Sequence, residues 1–228
     1  MKSQPPNPTK DELFSRIHHA LGNVATPMAI PDPPAVNQSI ARLASADDDL
    51  PAMFHTRAAA VGMHIHRPKS DELVNHIVEF LKEQGAKSVA LDHAPFTDDL
   101  PAALTEAGIS MLDWREDEKM DQQYDTDCGI TGVAGCLAES GTLIVETGAN
   151  TSRGLSLIPS LHIAIVRESD ILPDMLDYWA RKKGIHANEI PACFVFITGP
   201  SKTADIEGEL VTGVHGPKEV HIMLVDES

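Results

Sequence analysis

The sequence predicts an α/β fold, a parallel-rich sheet with helices on both faces. Strand-like and helix-like segments alternate from Lys87 to Val225, the pattern of crossover connections that lay helices against parallel strands. Polar, Gly-rich segments follow several of the strand candidates, where open sheets of this kind hold ligands. The chain has 228 residues, 42% of them apolar, enough to bury a substantial core.

The elements follow in order. Thr9-Lys-Asp-Glu12 is a capping box, with Leu13, Ile17 and Leu21 behind it at helical spacing and Gly22 placed to stop the helix. Ala25 to Pro51 holds Pro27, Pro31, Pro33, Pro34 and Pro51 and reads as an arm, so we divide the chain into residues 1–51 (helix and Pro-rich arm) and 52–228 (α/β domain). Met53–Ile65 is ambiguous. Ser70 is expected to cap an amphipathic helix with Leu73, Val74, Ile77, Val78 and Leu81 on one stripe and Gly85 at its end. Strands are predicted at Lys87–Leu91, Ile109–Leu112, Asp127–Thr131, Thr142–Glu146, His162–Val166, Phe194–Ile197 and Val220–Val225. Helices are predicted near Asp98–Ala107, over the small-residue segment Gly132–Ala138, and over Asp170–Lys183 with Leu172, Met175, Leu176 and Trp179 facing inward.

Composition excludes several classes of function. Formal net charge is −16 and the densest basic run is Arg181–Lys183, so nucleic acid and anionic membrane are repelled. No apolar run approaches the roughly 20 residues of a membrane helix, and the N-terminal residues lack a secretory pattern; a cytoplasmic protein without membrane insertion is expected. Cys128, Cys136 and Cys193 have neither the close spacing of iron–sulfur ligands nor the paired spacing of structural zinc. No dinucleotide fingerprint is present, since Gly129, Gly132 and Gly135 are spaced G-x-x-G-x-x-G. No cofactor is expected.

Three segments contain candidates for chemistry. In the first, Gly129–Thr142, Glu139 stands beside Ser140 and Gly141, either as a nucleophile or base or as a turn residue. In the second, Glu146–His162, Arg153 lies in a polar loop suited to bidentate binding of a carboxylate or phosphate, and His162 opens the next strand. In the third, Gly199-Pro-Ser-Lys-Thr203 resembles the tail of a phosphate-binding loop without its first glycine. Ser201, Lys202 and Thr203 are suited to holding an anion there, with Asp205 and His215 on the same rim; the alternative is a pair of tight turns. Arg153, His162, Lys202 and His215 are expected to converge on one pocket. His55, His64 and His66 lie close in sequence, and His64 and His66 would share one face of a strand. No acidic residue or cysteine stands at matching spacing, so no metal is assigned.

The same segments carry a family resemblance. Ile130-Thr-Gly with Ala138-Glu-Ser-Gly-Thr-Leu, then Arg153 with Leu157-Ile-Pro and His162-Ile, then Gly199–Glu207 with Gly213-Val-His-Gly-Pro217, resemble the lactate-utilization protein C (LutC/YkgG) family over roughly residues 52–225. The resemblance implies the LUD domain and the wider NagB/RpiA/CoA transferase-like fold. It implies an accessory, non-redox role in oxidising L-lactate to pyruvate beside iron–sulfur partner proteins. No catalytic residue is carried over. Two other readings stay open: a stand-alone enzyme with CoA-transferase-like or cyclo-ligase-like chemistry at Glu139, and a regulatory module binding a small carboxylate or phosphate.

Overall fold

The structure, a computed structural model, describes residues 9–22, 37, 42–92, 94–112, 114, 124–148, 151–186, 189–204 and 208–226. In chain order the described strands are β1 (His64–His66), β2 (Ser88–Leu91), β3 (Ser110–Leu112), β4 (Cys128–Thr131), β5 (Gly135–Leu137), β6 (Thr142–Glu146), β7 (Leu161–Arg167), β8 (Ile171–Leu172), β9 (Phe194–Ile197), β10 (Lys202–Thr203), β11 (Val211–Thr212) and β12 (Glu219–Val225). The described helices are α1 (Lys10–Ala20), α2 (Leu50–Ala60), α3 (Leu73–Glu83), α4 (Leu100–Glu106), α5 (Arg153–Leu157) and α6 (Met175–Arg181).

Six strands form one sheet in the order β1-β12-β7-β4-β2-β3, and every neighbouring pair is parallel. The parallel α/β fold that the sequence predicts is thus the fold of the protein. One face packs on α3 and α4, where Leu73, Ile77, Leu81, Leu100 and Leu104 meet Val89, Cys128, Ile130, Ile163 and Met223. The other face packs on α2 and on a second sheet of order β8-β5-β6-β9. Alternation along β6 shows how that sheet is buried on both sides. Leu143 and Val145 turn to the main core, and Ile144 turns to a smaller one with Leu137, Leu172 and Tyr178.

Residues 1–41 and 42–228 form two units. In the first, α1 has the expected capping box at Thr9 and Glu12, and it buries none of its residues. In the second, α2 starts at Leu50, capped by the Asp49 side chain, and Arg42 pairs with Asp174 and Asp177. The folded unit therefore begins ahead of residue 52.

Several local expectations are corrected. Gly132–Ala138 is not a helix: Gly135–Leu137 is strand β5, antiparallel to β6. A residue without a Cβ weakens a helix as much as a strand, and strand pairing decided the outcome. Ser70 does not cap α3, because residues 70–72 form a turn and Glu72 takes the cap position. The Asp170–Lys183 helix is shorter than expected. Pro173 interrupts it, Asp174 caps a new start at Met175, and Leu172 falls in β8. Tyr178 then faces inward while Met175 and Trp179 are exposed.

Candidate functional site

The order of strands places a cleft at the carboxyl ends of β2, β4 and β7. It measures about 420 Å³ and is lined by Pro95, Gly132, Val133, Ala134, Val145, Glu146, Thr147, Gly148, Thr151 and Arg167. Ligands of open parallel sheets bind at this end because successive loops splay apart there.

Arg167, Glu146 and Thr147 in the cleft are each held by a neighbour. Arg167, the last residue of β7, sends Nε and Nη2 to the Asp170 carboxylate at 3.1 and 2.9 Å. Glu146, the last residue of β6, accepts from the Tyr178 hydroxyl at 2.5 Å and pairs with the Lys182 ammonium. Burial and the Glu146 carboxylate push the Tyr178 hydroxyl well above its ordinary pKa. The Thr147 hydroxyl accepts from the Cys193 N–H at 2.9 Å, tying β6 to the approach to β9. Asp92, buried just beyond β2, accepts from the Ser152 N–H at 3.1 Å and so anchors the start of α5. The lining thus combines the Arg167 guanidinium held by Asp170, the Glu146 carboxylate paired with Lys182, and the hydroxyls of Thr147 and Thr151, in a cleft with room for a small polar ligand.

Arg153 follows this anchored segment, two residues beyond Thr151. It is exposed and opens α5 rather than lying in a loop. Its Nη1 lies 4.0 Å from the Cys193 sulfur. Among the described residues it makes no ion pair. His162 is fully buried beneath α5 instead of lining a pocket. Its Nε2 lies 2.9 Å from the Thr131 hydroxyl, and its Nδ1 has no partner. Burial pushes its pKa down to about 4. Gly129 makes room for this arrangement. A Cβ there would stand 1.8 Å from the Leu155 carbonyl oxygen, so only glycine lets α5 lie on β4.

The third segment lies at the other end of the sheet. Lys202 and Thr203 form β10, paired with β11, and Lys202 Nζ donates to the Val61 carbonyl at 3.3 Å, ahead of β1. The Ser201 N–H donates to the Pro217 carbonyl at 2.9 Å, ahead of β12. These residues stand at the amino ends of β1 and β12, because β9 belongs to the antiparallel sheet and returns the chain to that edge. His215 is exposed in the bend before β12. Asp205 lies outside the described residues. Arg153, His162, Lys202 and His215 each have separate neighbours, and the described contacts do not join them in one pocket.

Glu139 occupies the hairpin turn between β5 and β6. The turn is fixed by Gly141, whose φ is +67° and whose Cβ would meet the Ala58 backbone nitrogen at 2.3 Å. The Glu139 carboxyl is held above its ordinary pKa by burial and by Asp174, against a hydrogen bond from the Leu43 backbone and the charge of Arg42. Glu139 lines neither of the two clefts described, the second being the one beside Lys218 and Glu219. Sequence reasoning missed Arg167 and Glu146 as lining residues. Both end a strand, and that position was the available signal.

Comparison with known proteins adds to this geometry. A family model described as the LUD domain matches residues 52–225. A lactate utilization protein C of Halalkalibacterium halodurans is 31% identical over 185 residues, covering 79% of this chain and 80% of that protein. One from Shouchella clausii is 33% identical over 184 residues, again covering 79% and 80%. The crystal structure of a DUF162 family protein from Deinococcus radiodurans is similar, with a TM-score of 0.54 and 23% identity over 78% of this chain and 97% of that one. At that identity the likeness speaks for the fold alone.

Proposed function

Because the chain belongs to the LUD-domain family, we propose that it serves lactate utilization as an accessory, non-redox subunit beside iron–sulfur partner proteins in the cytoplasm. In this reading the cleft at the carboxyl ends of β2, β4 and β7 holds the carboxylate of lactate or pyruvate, with Arg153 at its rim. The observation that carries it is the fixed Arg167 guanidinium among Thr147, Thr151 and the Gly132 backbone, in a chain whose curated relatives are named for lactate utilization. The placement of the cysteines supports a division of labour with partners. Cys128 and Cys136 are buried on opposite faces of the main sheet, and Cys193 lies near Arg153, so the three are not grouped as cluster ligands. Burial pushes the Cys128 and Cys136 thiols well above their ordinary pKa, away from the ligating thiolate form.

The experiment is reconstitution with Cys-rich iron–sulfur partner proteins from the same organism, followed by lactate-dependent dye reduction. Activity is expected to require this chain, and the chain alone is expected to show none. Full activity without it rejects the accessory role. Turnover of an acyl-CoA substrate by the chain alone, abolished in Glu139→Gln, establishes the enzymatic alternative instead.

A further inference from the structure

A cluster of four histidines and one glutamate lies outside the cleft, on the α3 side of the main sheet. His64 and His66 begin and end β1, and β12 runs parallel beside it with His221 in register with His64. Glu219 stands two residues earlier on the same face of β12. The His64 and His221 rings stack, with centroids 4.6 Å apart, and Phe80 of α3 packs against His221 at 4.5 Å. His221 is 5% exposed. Its Nδ1 lies 3.0 Å from His66 Nε2, and His66 Nδ1 lies 3.3 Å from Nε2 of His76 on α3. Its other nitrogen, Nε2, lies 3.3 Å from Glu219 Oε2. One donor atom from each of His64, Glu219 and His221 falls within 4.8 Å of the others.

We propose that His64, Glu219 and His221 bind a divalent transition-metal ion of the zinc class. Two imidazoles and one carboxylate are a donor set that Zn²⁺, Co²⁺ and Ni²⁺ accept. In a tetrahedral site with bonds of about 2.0–2.2 Å, donor atoms stand about 3.3–3.6 Å apart. Small rotations of exposed His64 and half-exposed Glu219 close the present spacing while buried His221 stays still. His66 and His76 do what outer partners of metal-bound histidines do: they fix the ring and its tautomer. When His221 donates its Nδ1–H to His66, its Nε2 lone pair faces the Glu219 carboxylate with no proton between them. A cation satisfies both acceptors. Three protein ligands leave the fourth position open on the solvent side, where a water completes the shell. The ion would clip the edge strand β1 to β12 at their amino ends, the opposite edge from the lactate cleft, so the site stands whether or not that functional reading holds.

The test uses untagged full-length protein, stripped of metal by chelation and titrated with Co²⁺ or Zn²⁺ alone. Wild type is expected to bind one equivalent of Co²⁺, read from its visible absorption, and to gain thermal stability with Zn²⁺. His64→Gln and Glu219→Gln are expected to lower affinity at least about tenfold, with the metal-free melting temperature unchanged, and His66→Gln about tenfold. His55→Gln, on α2 at the other face, should bind as wild type does. Failure of wild type to take up a stoichiometric ion overturns the proposal. So does an affinity unchanged in both His64→Gln and Glu219→Gln.

Discussion

Arg153 stands exposed at the start of α5 without an ion pair among the described residues, so replacing it leaves the core and its hydrogen bonds intact. Arg153→Lys and Arg153→Ala are expected to change stability by less than about 0.5 kcal/mol. If the guanidinium meets a carboxylate at the rim, both variants lower lactate-dependent activity, because a lysine keeps the charge and loses the two-pronged geometry. Thermal unfolding beside the reconstituted assay checks this, and full activity in both variants removes Arg153 from the site. His162 is the opposite case. Its folded pKa of about 4 lies below the ordinary 6.5, so the unfolded chain takes up the proton first as pH falls. The stability due to the neutral ring is present above pH 6.5 and is lost between about pH 6.5 and 4, by up to about 3 kcal/mol. Denaturant midpoints at pH 7 and pH 4.5 should therefore fall further in wild type than in His162→Gln.

At the scale of elements, α5 rests on β4 only because position 129 lacks a side chain. Gly129→Ala places a methyl 1.8 Å from a backbone carbonyl oxygen, and neither strand nor helix can yield without breaking hydrogen bonds. The expected cost is about 3 kcal/mol or more, read as a lowered denaturant midpoint and a disturbed start of α5. The sequence announced most of the elements themselves. The stripe Leu73, Ile77, Leu81 with Gly85 behind it specified α3, and the apolar runs at Thr142–Glu146 and Val220–Val225 specified β6 and β12. It was least legible where side chains are small: Gly132–Ala138 has no periodicity that distinguishes helix from strand, and its pairing partners lie at Thr142–Glu146 and Ile171–Leu172. The site was legible by the same rule. His64 and His66 were visibly on one strand face, but their neighbours Glu219 and His221 lie far along the chain, joined to them only by the parallel register of β1 and β12. Arg167 lies one residue beyond the predicted strand His162–Val166, and its place at a strand end was its one local signal.

For the whole molecule, the boundary of the folded unit makes a direct prediction. Residues 42–228 keep the Asp49 cap of α2 and the Arg42 pairing with Asp174 and Asp177. A chain beginning at residue 42 is expected to melt within a degree or two of full length, since α1 buries none of its residues. A chain beginning at residue 52 loses the cap, Leu50 and Arg42, and leaves Asp174 buried without its cation. It is expected to melt several degrees lower, in line with a loss of about 1–3 kcal/mol. Equal melting of the two truncations would place the boundary at 52 instead. Among the described residues, no helix is long and apolar enough to cross a membrane.

The interior position of β12 governs when the protein can finish folding. It is the last of the described strands, yet it lies between β1 and β7 and is paired to both. During synthesis β1 emerges early and waits without a neighbour, and the growing sheet keeps an open seam beside β7 until residues 219–225 arrive. Loop-closure entropy then has to be met across most of the chain in one late step. A nascent chain stalled before that point exposes the unpaired edge of β7 and the apolar faces of Ile163 and Ile165, the surface that a chaperone or another unfinished copy would find first.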